Sequence, residues 1–424
     1  MTDGDRTDGA EIVIIGGGIL GCSIAWHLGL AGITDVLVLE RNELASGATA
    51  RAAGLVSHGS ADAAMLRLVS RTRAAIGELE QFLDEPLDFR GVGAIQAAFT
   101  SEREQELLRV EATMAAEGVE VDLLGPGDAR VMRPWLEFGA ARRIIHVPRD
   151  GHIDGARLAA AYGRAARRMG ARIRRGTAVR GLVSKDGVVS GVVTDSGTIR
   201  SSVVVDAAGA WSAEVARWLG WGFPAAPTRS HYWITRPDGS GGQHQPNVHL
   251  PDMRAYFRSE TGGLVVGFQE PRTRTYDPMA LPADMADAPL DEGDADTDLL
   301  LDHAAGIRGI APAIDGWEFA HHVTGLSMYT PDGKFVLGKV AGTEGFVVCG
   351  GCCGAGIAAS GGLGEATADI VLDKGGEWRQ FDPNRFGTVD PASDEFRARC
   401  AAARAGKSRG RSGETRSDKD RLAG

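Results

Sequence analysis

Three glycines near the beginning of the chain have the spacing of a dinucleotide-binding motif. Gly16, Gly18 and Gly21 follow the apolar run 11–15 as G-x-G-x-x-G. In this motif the first glycine allows a tight turn, the second lets the backbone approach a pyrophosphate, and the third permits close helix–strand packing. Glu40 follows Gly21 by 19 residues, where a carboxylate can accept hydrogen bonds from both ribose hydroxyls. The spacing predicts a dinucleotide site rather than a purely structural glycine turn.

The residues after Glu40 bear on which dinucleotide is bound, because NAD and FAD share the glycine motif. Residues 46–55 read Ser-Gly-Ala-Thr-Ala-Arg-Ala-Ala-Gly-Leu, so nearly all of their side chains are small. Such a segment suits a chain laid against a bulky planar ring, which favours FAD. The alternative is a loop of small residues without a ligand.

A βαβ unit is predicted to position these residues. The apolar runs 12–15 and 36–39 are typical of buried parallel strands, and residues 19–30 between them have a helical pattern.

Residues 277–302 contain nine acidic residues and no Lys or Arg, and predict an exposed loop. The last 34 residues, 391–424, carry nine basic and five acidic residues with few apolar ones, and predict a disordered tail. Further helices are predicted over 61–83, 101–117, 156–169, 299–310 and up to residue 372, and strands over 179–183, 188–194, 198–205, 231–235, 255–258, 263–269 and 345–349.

Composition and charge argue against several classes of partner. A formal net charge of -10 provides no basic surface for nucleic acid. Apolar runs stay shorter than the ~18 residues that span a bilayer, and the polar residues 1–11 do not form a signal peptide. We therefore expect a cytoplasmic protein.

Cys349, Cys352 and Cys353 lie among glycines and are interpreted as small buried residues, so no metal is expected.

Five segments resemble one family of flavoproteins when taken in order: 16–21, 46–55, 203–212, 329–333 and 345–364. They resemble the FAD-dependent D-amino acid oxidase superfamily, especially its branch of dimethylglycine dehydrogenase and sarcosine dehydrogenase/oxidase. The resemblance implies an α/β fold, α+β overall, in which a Rossmann-type FAD-binding domain of the glutathione-reductase type is interwound with a mixed-sheet substrate domain. The FAD-binding domain would comprise 8–80, 150–225 and 320–378, and the substrate domain 81–149 and 226–319.

The same resemblance implies which residues border the FAD. Glycines at 350–364, followed by a helix, could in addition supply N–H donors beside the flavin pyrimidine, where negative charge collects on reduction. The implied cofactor residues are Gly16, Gly18, Ile19, Gly21, Glu40, Arg41, Ser46, Thr49, Ala50, Arg51, Ala53, Gly54, Leu55, Val179, Ala208, Gly209, Trp211, Gly354, Gly356, Ile357 and Gly361.

Two departures from the family concern how the flavin is attached. Dimethylglycine-type dehydrogenases carry a flavin-linked His where this chain has Arg51, and monomeric sarcosine oxidases use a Cys where it has Ser327. We therefore expect non-covalent FAD. The oxidases also carry a Lys that promotes reaction with oxygen, and this chain has Val265 there. That favours a dehydrogenase or a slow oxidase, with O2 or a redox partner as the electron acceptor.

A fourth departure concerns recognition of the substrate carboxylate. A Lys that binds the substrate carboxylate in the oxidases aligns with Ala358, so Arg51 or Arg258 would take over carboxylate recognition. For Arg258 the alternative is a structural ion pair. Strand alternation places His231 and Trp233 on one face and Tyr232 on the other. The candidate catalytic residues are Arg51, Arg258, Tyr256, His231 and His322.

The expected reaction is FAD-dependent oxidation of a C–N bond in a small amine or amino acid of the N-substituted glycine type. Hydride would pass to flavin N5 and the imine would then hydrolyse, which needs orientation and desolvation more than acid/base groups. Three alternatives stay open: an FAD-dependent 2-hydroxy acid dehydrogenase, a flavoprotein subunit of a hetero-oligomeric dehydrogenase, and an NAD-dependent dehydrogenase. The large dimethylglycine dehydrogenases append a folate-binding half. We expect 424 residues to leave no room for it.

Overall fold

The computed structural model describes residues 9–270, 272–376 and 378–406. The α-helices are α1 (Ile19–Leu30), α2 (Ala63–Leu83), α3 (Ser101–Ala116), α4 (Pro126–Met132), α5 (Gly155–Arg168), α6 (Ser212–Arg217), α7 (Asp294–Ile307), α8 (Ser360–Val371) and α9 (Asp394–Gly406). The strands are β1 (Ile12–Ile15), β2 (Val36–Leu39), β3 (Leu55–Val56), β4 (Ala94–Ala98), β5 (Asp122–Leu123), β6 (Arg143–Val147), β7 (Gly151–His152), β8 (Arg172–Arg174), β9 (Val179–Lys185), β10 (Val188–Thr194), β11 (Gly197–Arg200), β12 (Val203–Asp206), β13 (Ala226–Thr235), β14 (Asn247–Leu250), β15 (Ala255–Glu260), β16 (Gly263–Phe268), β17 (Phe319–Tyr329), β18 (Val336–Lys339) and β19 (Phe346–Gly350).

A six-stranded sheet, here sheet I, has the order β18-β19-β12-β1-β2-β8 and is parallel except for β18. All four residues of β1 are buried. Ile12 and Ile14 face a core with α1, α5 and α8, whereas Val13 and Ile15 face a core that includes the meander β9–β11. This two-sided burial explains the continuous apolar run of β1 and confirms the predicted βαβ unit.

An eight-stranded mixed sheet, here sheet II, has the order β17-β13-β16-β15-β14-β4-β6-β5. Only the β14–β4 pair among these is parallel. One face packs against α7 through Trp233, Phe268 and Leu300. Because β17 pairs with β13, it belongs to sheet II. The boundary predicted between residues 319 and 320 falls at the beginning of this strand, and the division into domains stays a prediction.

The end of the described chain differs from the sequence-based prediction. Residues 394–406 form helix α9 instead of a disordered tail, and Phe396, Cys400 and Arg404 are buried at four-residue spacing. This face packs against β13 and β17, which explains why a segment with few apolar residues is helical. The rest of the predicted tail, 407–424, lies outside the described residues.

The acidic segment is also less exposed than predicted. Helix α7 begins at Asp294, before the expected position, and Asp296 is buried because it pairs with the buried Arg229. Met285 and Leu290 are buried as well. Among the described residues, no helix combines the length and the apolar character that crossing a membrane requires.

Candidate active site

One cavity of about 1550 Å³ extends from the carboxyl ends of β1 and β2 to a face of sheet II. The carboxyl ends of parallel strands are where open α/β sheets bind ligands. Gly16 and Glu40 border the cavity at the strand ends, and Tyr232 and Tyr256 border it on sheet II. The two sheets therefore enclose a single site.

The first glycine motif forms part of the cavity wall at the start of α1. Gly16 has φ +106°, and a β-carbon there would lie 2.5 Å from the carbonyl oxygen of Ala207. Gly16 and Gly18 border the cavity. Gly21 does not: a β-carbon there would lie 1.9 Å from the Gly16 carbonyl oxygen, so Gly21 permits packing and is not a wall of the site. This is the close packing that the motif predicts for its third glycine, and a contact of Gly21 with the cofactor stays a prediction.

The carboxylate of Glu40 is held in place at the rim. It accepts hydrogen bonds from the amide of Gly17 at 2.7 Å and from the amide of Asn42 at 2.8 Å. The Arg41 guanidinium lies over the Trp211 ring, 4.7 Å from its centroid. The other implied residues at this end, Val179, Ala208 and Gly209, all border the cavity.

Arg51 holds the small-residue loop together. Its guanidinium donates to the carbonyl oxygens of Ser46 and of Gly47, the latter at 3.0 Å. The Arg51 side chain lies against Gly325, where a β-carbon would be 3.0 Å from the Arg51 β-carbon. Ala50 is exposed and does not border the cavity, unlike the other implied loop residues, which are Ser46, Thr49, Arg51, Ala53, Gly54 and Leu55.

The second glycine-rich segment reaches the same cavity. The amide of Gly354 donates to Ser327 Oγ at 2.9 Å, and Gly354, Gly356 and Ile357 border the cavity. Gly361 faces away from it, because a β-carbon there would lie 2.7 Å from the Thr72 Cα. Apart from Gly21 and Gly361, the predicted glycines of the two distant glycine-rich stretches border one cavity.

Sheet II contributes a row of polar side chains to the site. Tyr232 and Tyr256 are both register partners of Gly267, so they share one face. His249 and Gln96 follow on the neighbouring strands of that face and also border the cavity. Burial raises the pKa of the Tyr232 and Tyr256 hydroxyls, so both remain hydrogen-bond donors at neutral pH.

The sequence matches a family whose description fits this site. The family model DAO, FAD dependent oxidoreductase, matches residues 11–370. The chain belongs to this family. It is therefore an FAD-dependent oxidoreductase. This confirms the resemblance and the FAD cofactor predicted from the sequence and removes the NAD-dependent alternative.

Curated relatives and a solved structure agree with this assignment. The 4-methylaminobutanoate oxidase (formaldehyde-forming) of Paenarthrobacter nicotinovorans is 30% identical over 365 residues, which cover 85% of this chain and 43% of that protein. Mitochondrial dimethylglycine dehydrogenase of Rattus norvegicus is 29% identical over 90% of this chain and 45% of that protein. Glycine oxidase from Geobacillus kaustophilus has a TM-score of 0.74 and 25% identity, covering 89% of this chain and 99% of that one. The chain spans less than half the length of the two curated relatives.

His231 and His322 of the oxidoreductase lie on the strand face opposite Tyr232, where His322 stacks on Trp233. His231 Nδ1 is 3.2 Å from His322 Nε2, and His231 Nε2 is 3.2 Å from a Glu270 oxygen. Burial lowers the pKa of His231 to about 2. His231 borders the cavity, but both of its ring nitrogens are next to protein partners, and His322 does not border it. This placement does not support their catalytic role, which stays a prediction.

The same two histidines and Asp296 place three potential metal-ligand atoms within 4.8 Å of one another, in the part of the chain that the structure describes. Arg229 already supplies a cation here, since its Nη1 is 2.8 Å from an Asp296 oxygen and its Nη2 is 2.8 Å from Glu270. The cluster therefore has the charge balance of a buried ion-pair network.

Arg258 of the oxidoreductase is engaged by other residues of the protein. It pairs with Glu260 at 2.7 Å and donates to the carbonyl oxygen of Ala53 at 2.6 Å. Arg258 does not border the cavity. These contacts favour the structural ion pair, the alternative for this residue, and a substrate contact of Arg258 stays a prediction.

Sequence analysis assigned no site role to several residues that border the cavity: Gln96, Tyr232, His249, Tyr329 and Arg404. Ser327 also borders the cavity and was considered only for flavin attachment. Arg404 comes from α9, within the segment predicted to be disordered. The signal that could have found it is the spacing of Phe396, Cys400 and Arg404 on one helix face. Cys349 and Cys353 are buried as predicted, whereas Cys352 is partly exposed, and Cys352 and Cys353 both border the cavity. Burial raises the pKa of Cys349 to about 12, which leaves an unreactive thiol.

Proposed function

We propose that the oxidoreductase oxidises a C–N bond of a small amine or amino acid, with N-substituted glycines as the preferred class. Oxidation at the α-carbon removes a hydride equivalent and gives an iminium ion. Water then adds to that carbon and releases an amine and an aldehyde or keto acid. One observation carries this proposal: both glycine-rich stretches meet the tyrosines of sheet II in a single cavity. The names of the relatives, 4-methylaminobutanoate oxidase and dimethylglycine dehydrogenase, support the substrate class.

The residues around the cavity fit FAD. Gly16 leaves no room for a side chain at the predicted pyrophosphate position, and Glu40 presents a fixed carboxylate for the ribose. Bound FAD supplies the acceptor for the hydride equivalent. We propose that it is bound without a covalent link, since Arg51 offers no nucleophilic atom and Ser327 replaces the cysteine of the oxidases. The glutathione-reductase type of the cofactor domain and the division into two interwound domains belong to the same proposal.

The chain's own contribution to the rate is binding and orientation. Protonated hydroxyls at Tyr232 and Tyr256 can donate to the substrate without removing its proton. The amine binds in its neutral form, so its lone pair supports loss of hydride from the neighbouring carbon. Burial of this end of the cavity excludes water until the iminium ion has formed, and orientation then accounts for most of the rate.

The electron acceptor is proposed to be a redox partner in preference to oxygen. Val265 is fully buried in β16, where the oxidases of the resembling family carry a Lys. A valine supplies no positive charge to stabilise superoxide, so the reaction with O2 should be slow. A hetero-oligomeric dehydrogenase remains the alternative assembly. The cytoplasmic location also stays a prediction.

Anaerobic reduction of the FAD-loaded protein tests the proposal. A panel of N-methylglycine, N,N-dimethylglycine, 4-methylaminobutanoate, proline and glycine is compared with matched 2-hydroxy acids. We expect the flavin band near about 450 nm to bleach with N-substituted amino acids. Bleaching with the hydroxy acids alone would favour the 2-hydroxy acid dehydrogenase. Bleaching by neither group would overturn the proposal.

A further inference from the structure

A buried arginine from the C-terminal helix borders the active-site cavity. Arg404 is 7% exposed and lines the same cavity as Tyr256 and Tyr329. Its guanidinium carbon lies 5.6 Å from the centroid of the Tyr329 ring. Its buried Nε has no hydrogen-bond partner, and among the described residues no carboxylate forms an ion pair with it.

An arginine in this position needs an anion. Burying a guanidinium without a directly paired carboxylate is costly, and Glu270 lies within electrostatic range of Arg404 without forming an ion pair with it. A contact with one aromatic ring recovers only part of that cost. Arg229 is similarly buried but is matched by the carboxylates of Glu270 and Asp296. Arg133 is fully buried and donates at 2.6 Å to the carbonyl oxygen of Pro246. Arg103 is also buried and borders the cavity, but it pairs with Glu106. Arg404 therefore differs from these three buried arginines in bordering the cavity without a paired carboxylate and without an acceptor for its Nε.

The position of Arg404 is at the flavin end of the cavity. Tyr329, which it covers, follows Ser327 by two residues on β17, and Ser327 accepts the hydrogen bond from Gly354. Burial raises the pKa of the Tyr256 hydroxyl, and the positive charge of Arg404 opposes that rise, so Arg404 lies within electrostatic range of Tyr256. The adenine end, marked by Arg41 on Trp211, is elsewhere in the cavity.

The two arginines favoured by the sequence are already engaged. Arg51 donates to the carbonyl oxygens of its own loop, and Arg258 pairs with Glu260 outside the cavity. Arg404 is a further cation that borders the cavity and that sequence analysis did not consider.

We propose that Arg404 binds the carboxylate of the amino acid substrate, so that α9 completes the substrate site. This inference rests on the proposed function. Phe396 and Cys400 pack with Tyr329 and Ala226, and this packing fixes the helix that presents the guanidinium. A planar guanidinium can form two parallel hydrogen bonds with a carboxylate, which fixes the direction of the substrate as well as its affinity. Substrates without a carboxylate gain nothing from this residue.

The test compares Arg404→Met and Arg404→Lys with Arg399→Met in the full-length, FAD-loaded protein. Arg399 is exposed on the same helix, so its variant removes the same charge without reaching the cavity. The first readout is the Kd of acetate and methoxyacetate, which cannot be oxidised, from the change that they cause in the flavin absorbance. The second is the KM and kcat for N-methylglycine and for N-methylpropylamine, which has no carboxylate.

We expect Arg404→Met to weaken the binding of both acids and to raise the KM for N-methylglycine by roughly 100-fold, with Arg404→Lys in between. Arg399→Met should match the wild type, and turnover of N-methylpropylamine should not depend on residue 404. Unchanged acid binding in Arg404→Met, or an equal loss for both amines, would overturn the inference. If Arg404→Met does not retain FAD, the Arg404→Lys variant decides by the same two readouts. A wild type that no amine reduces, but that binds the acids through Arg404, overturns the proposed function and leaves the anion site standing.

Discussion

The ring of Tyr256 occupies the space in which a side chain on Gly267 would lie. A β-carbon on Gly267 would come within 1.9 Å of the tyrosine ring. The two residues are register partners on β15 and β16, and Tyr256 borders the cavity. The absence of a side chain at residue 267 therefore determines where the Tyr256 hydroxyl points.

Gly267→Ala should displace Tyr256 and impair turnover while leaving the FAD in place. We expect kcat/KM for the best amine to fall by about 10-fold or more, because a misplaced orienting group is costly in rate. Steady-state kinetics and the ratio of FAD to protein measure the two effects. Gly306→Ala is the control, because a β-carbon there meets nothing within 4 Å. Full activity in Gly267→Ala would show that Tyr256 does not orient the substrate.

Gly16→Ala should abolish FAD binding. The alanine would be strained by the φ of +106°, and its β-carbon would lie 2.5 Å from the Ala207 carbonyl oxygen, so the turn before α1 must move. The FAD content after purification and the affinity for added FAD report the loss, and circular dichroism reports whether the chain folds. Gly77→Ala, in the middle of α2 with open space around it, should retain normal FAD content. A yellow Gly16→Ala protein with normal affinity would argue against this pyrophosphate site.

Denaturation should release the flavin. With Arg51 and Ser327 at the positions where relatives of the resembling family attach it, no covalent bond is expected. After acid precipitation the supernatant should be yellow, and the protein band on a denaturing gel should not fluoresce. Colour that stays with the precipitated protein would contradict non-covalent binding.

The sequence predicted those features of the fold that depend on local pattern. The apolar run of β1 and the two glycine-rich segments were sufficient to predict the βαβ unit and a shared cofactor cavity, because burial and close backbone approach restrict residue types. The sequence also predicted correctly that His231 and Tyr232 lie on opposite faces of their strand. Alternation alone does not show which face borders the cavity, since that depends on how sheet II packs against the rest of the chain.

Residues set by long-range packing escaped prediction. Arg258 and Glu260 are two apart on β15 and so share a face, a local signal of an ion pair that was available in the sequence. Arg404 offered no comparable local signal of function, because its role depends on α9 docking beside Tyr329, distant in sequence. The charged composition of 391–424 instead favoured disorder.

Asp206 should make the stability of the protein depend on pH. Its side chain is buried at the end of β12 and accepts hydrogen bonds from the amide of Ala208 and from Ser212 Oγ, while its Oδ2 has no partner. Burial raises the pKa of this carboxyl to about 7. The folded protein therefore retains a proton that the unfolded chain has lost. The contribution of the Asp206 carboxyl to the free energy of unfolding is fully present below about pH 4. It is lost as the pH rises through about 7, at up to roughly 1.4 kcal/mol per pH unit.

Asp206→Asn mimics the protonated carboxyl and should remove this dependence. Urea unfolding with saturating FAD, at pH 5 and at pH 8, measures the free energy of unfolding of both proteins. We expect wild type to lose stability relative to Asp206→Asn between the two pH values, because only wild type ionises the buried group. Asp195→Asn, which alters an exposed carboxylate paired with Arg180, serves as the control and should follow wild type. Parallel behaviour of wild type and Asp206→Asn over this range would mean that Asp206 is already ionised at pH 5.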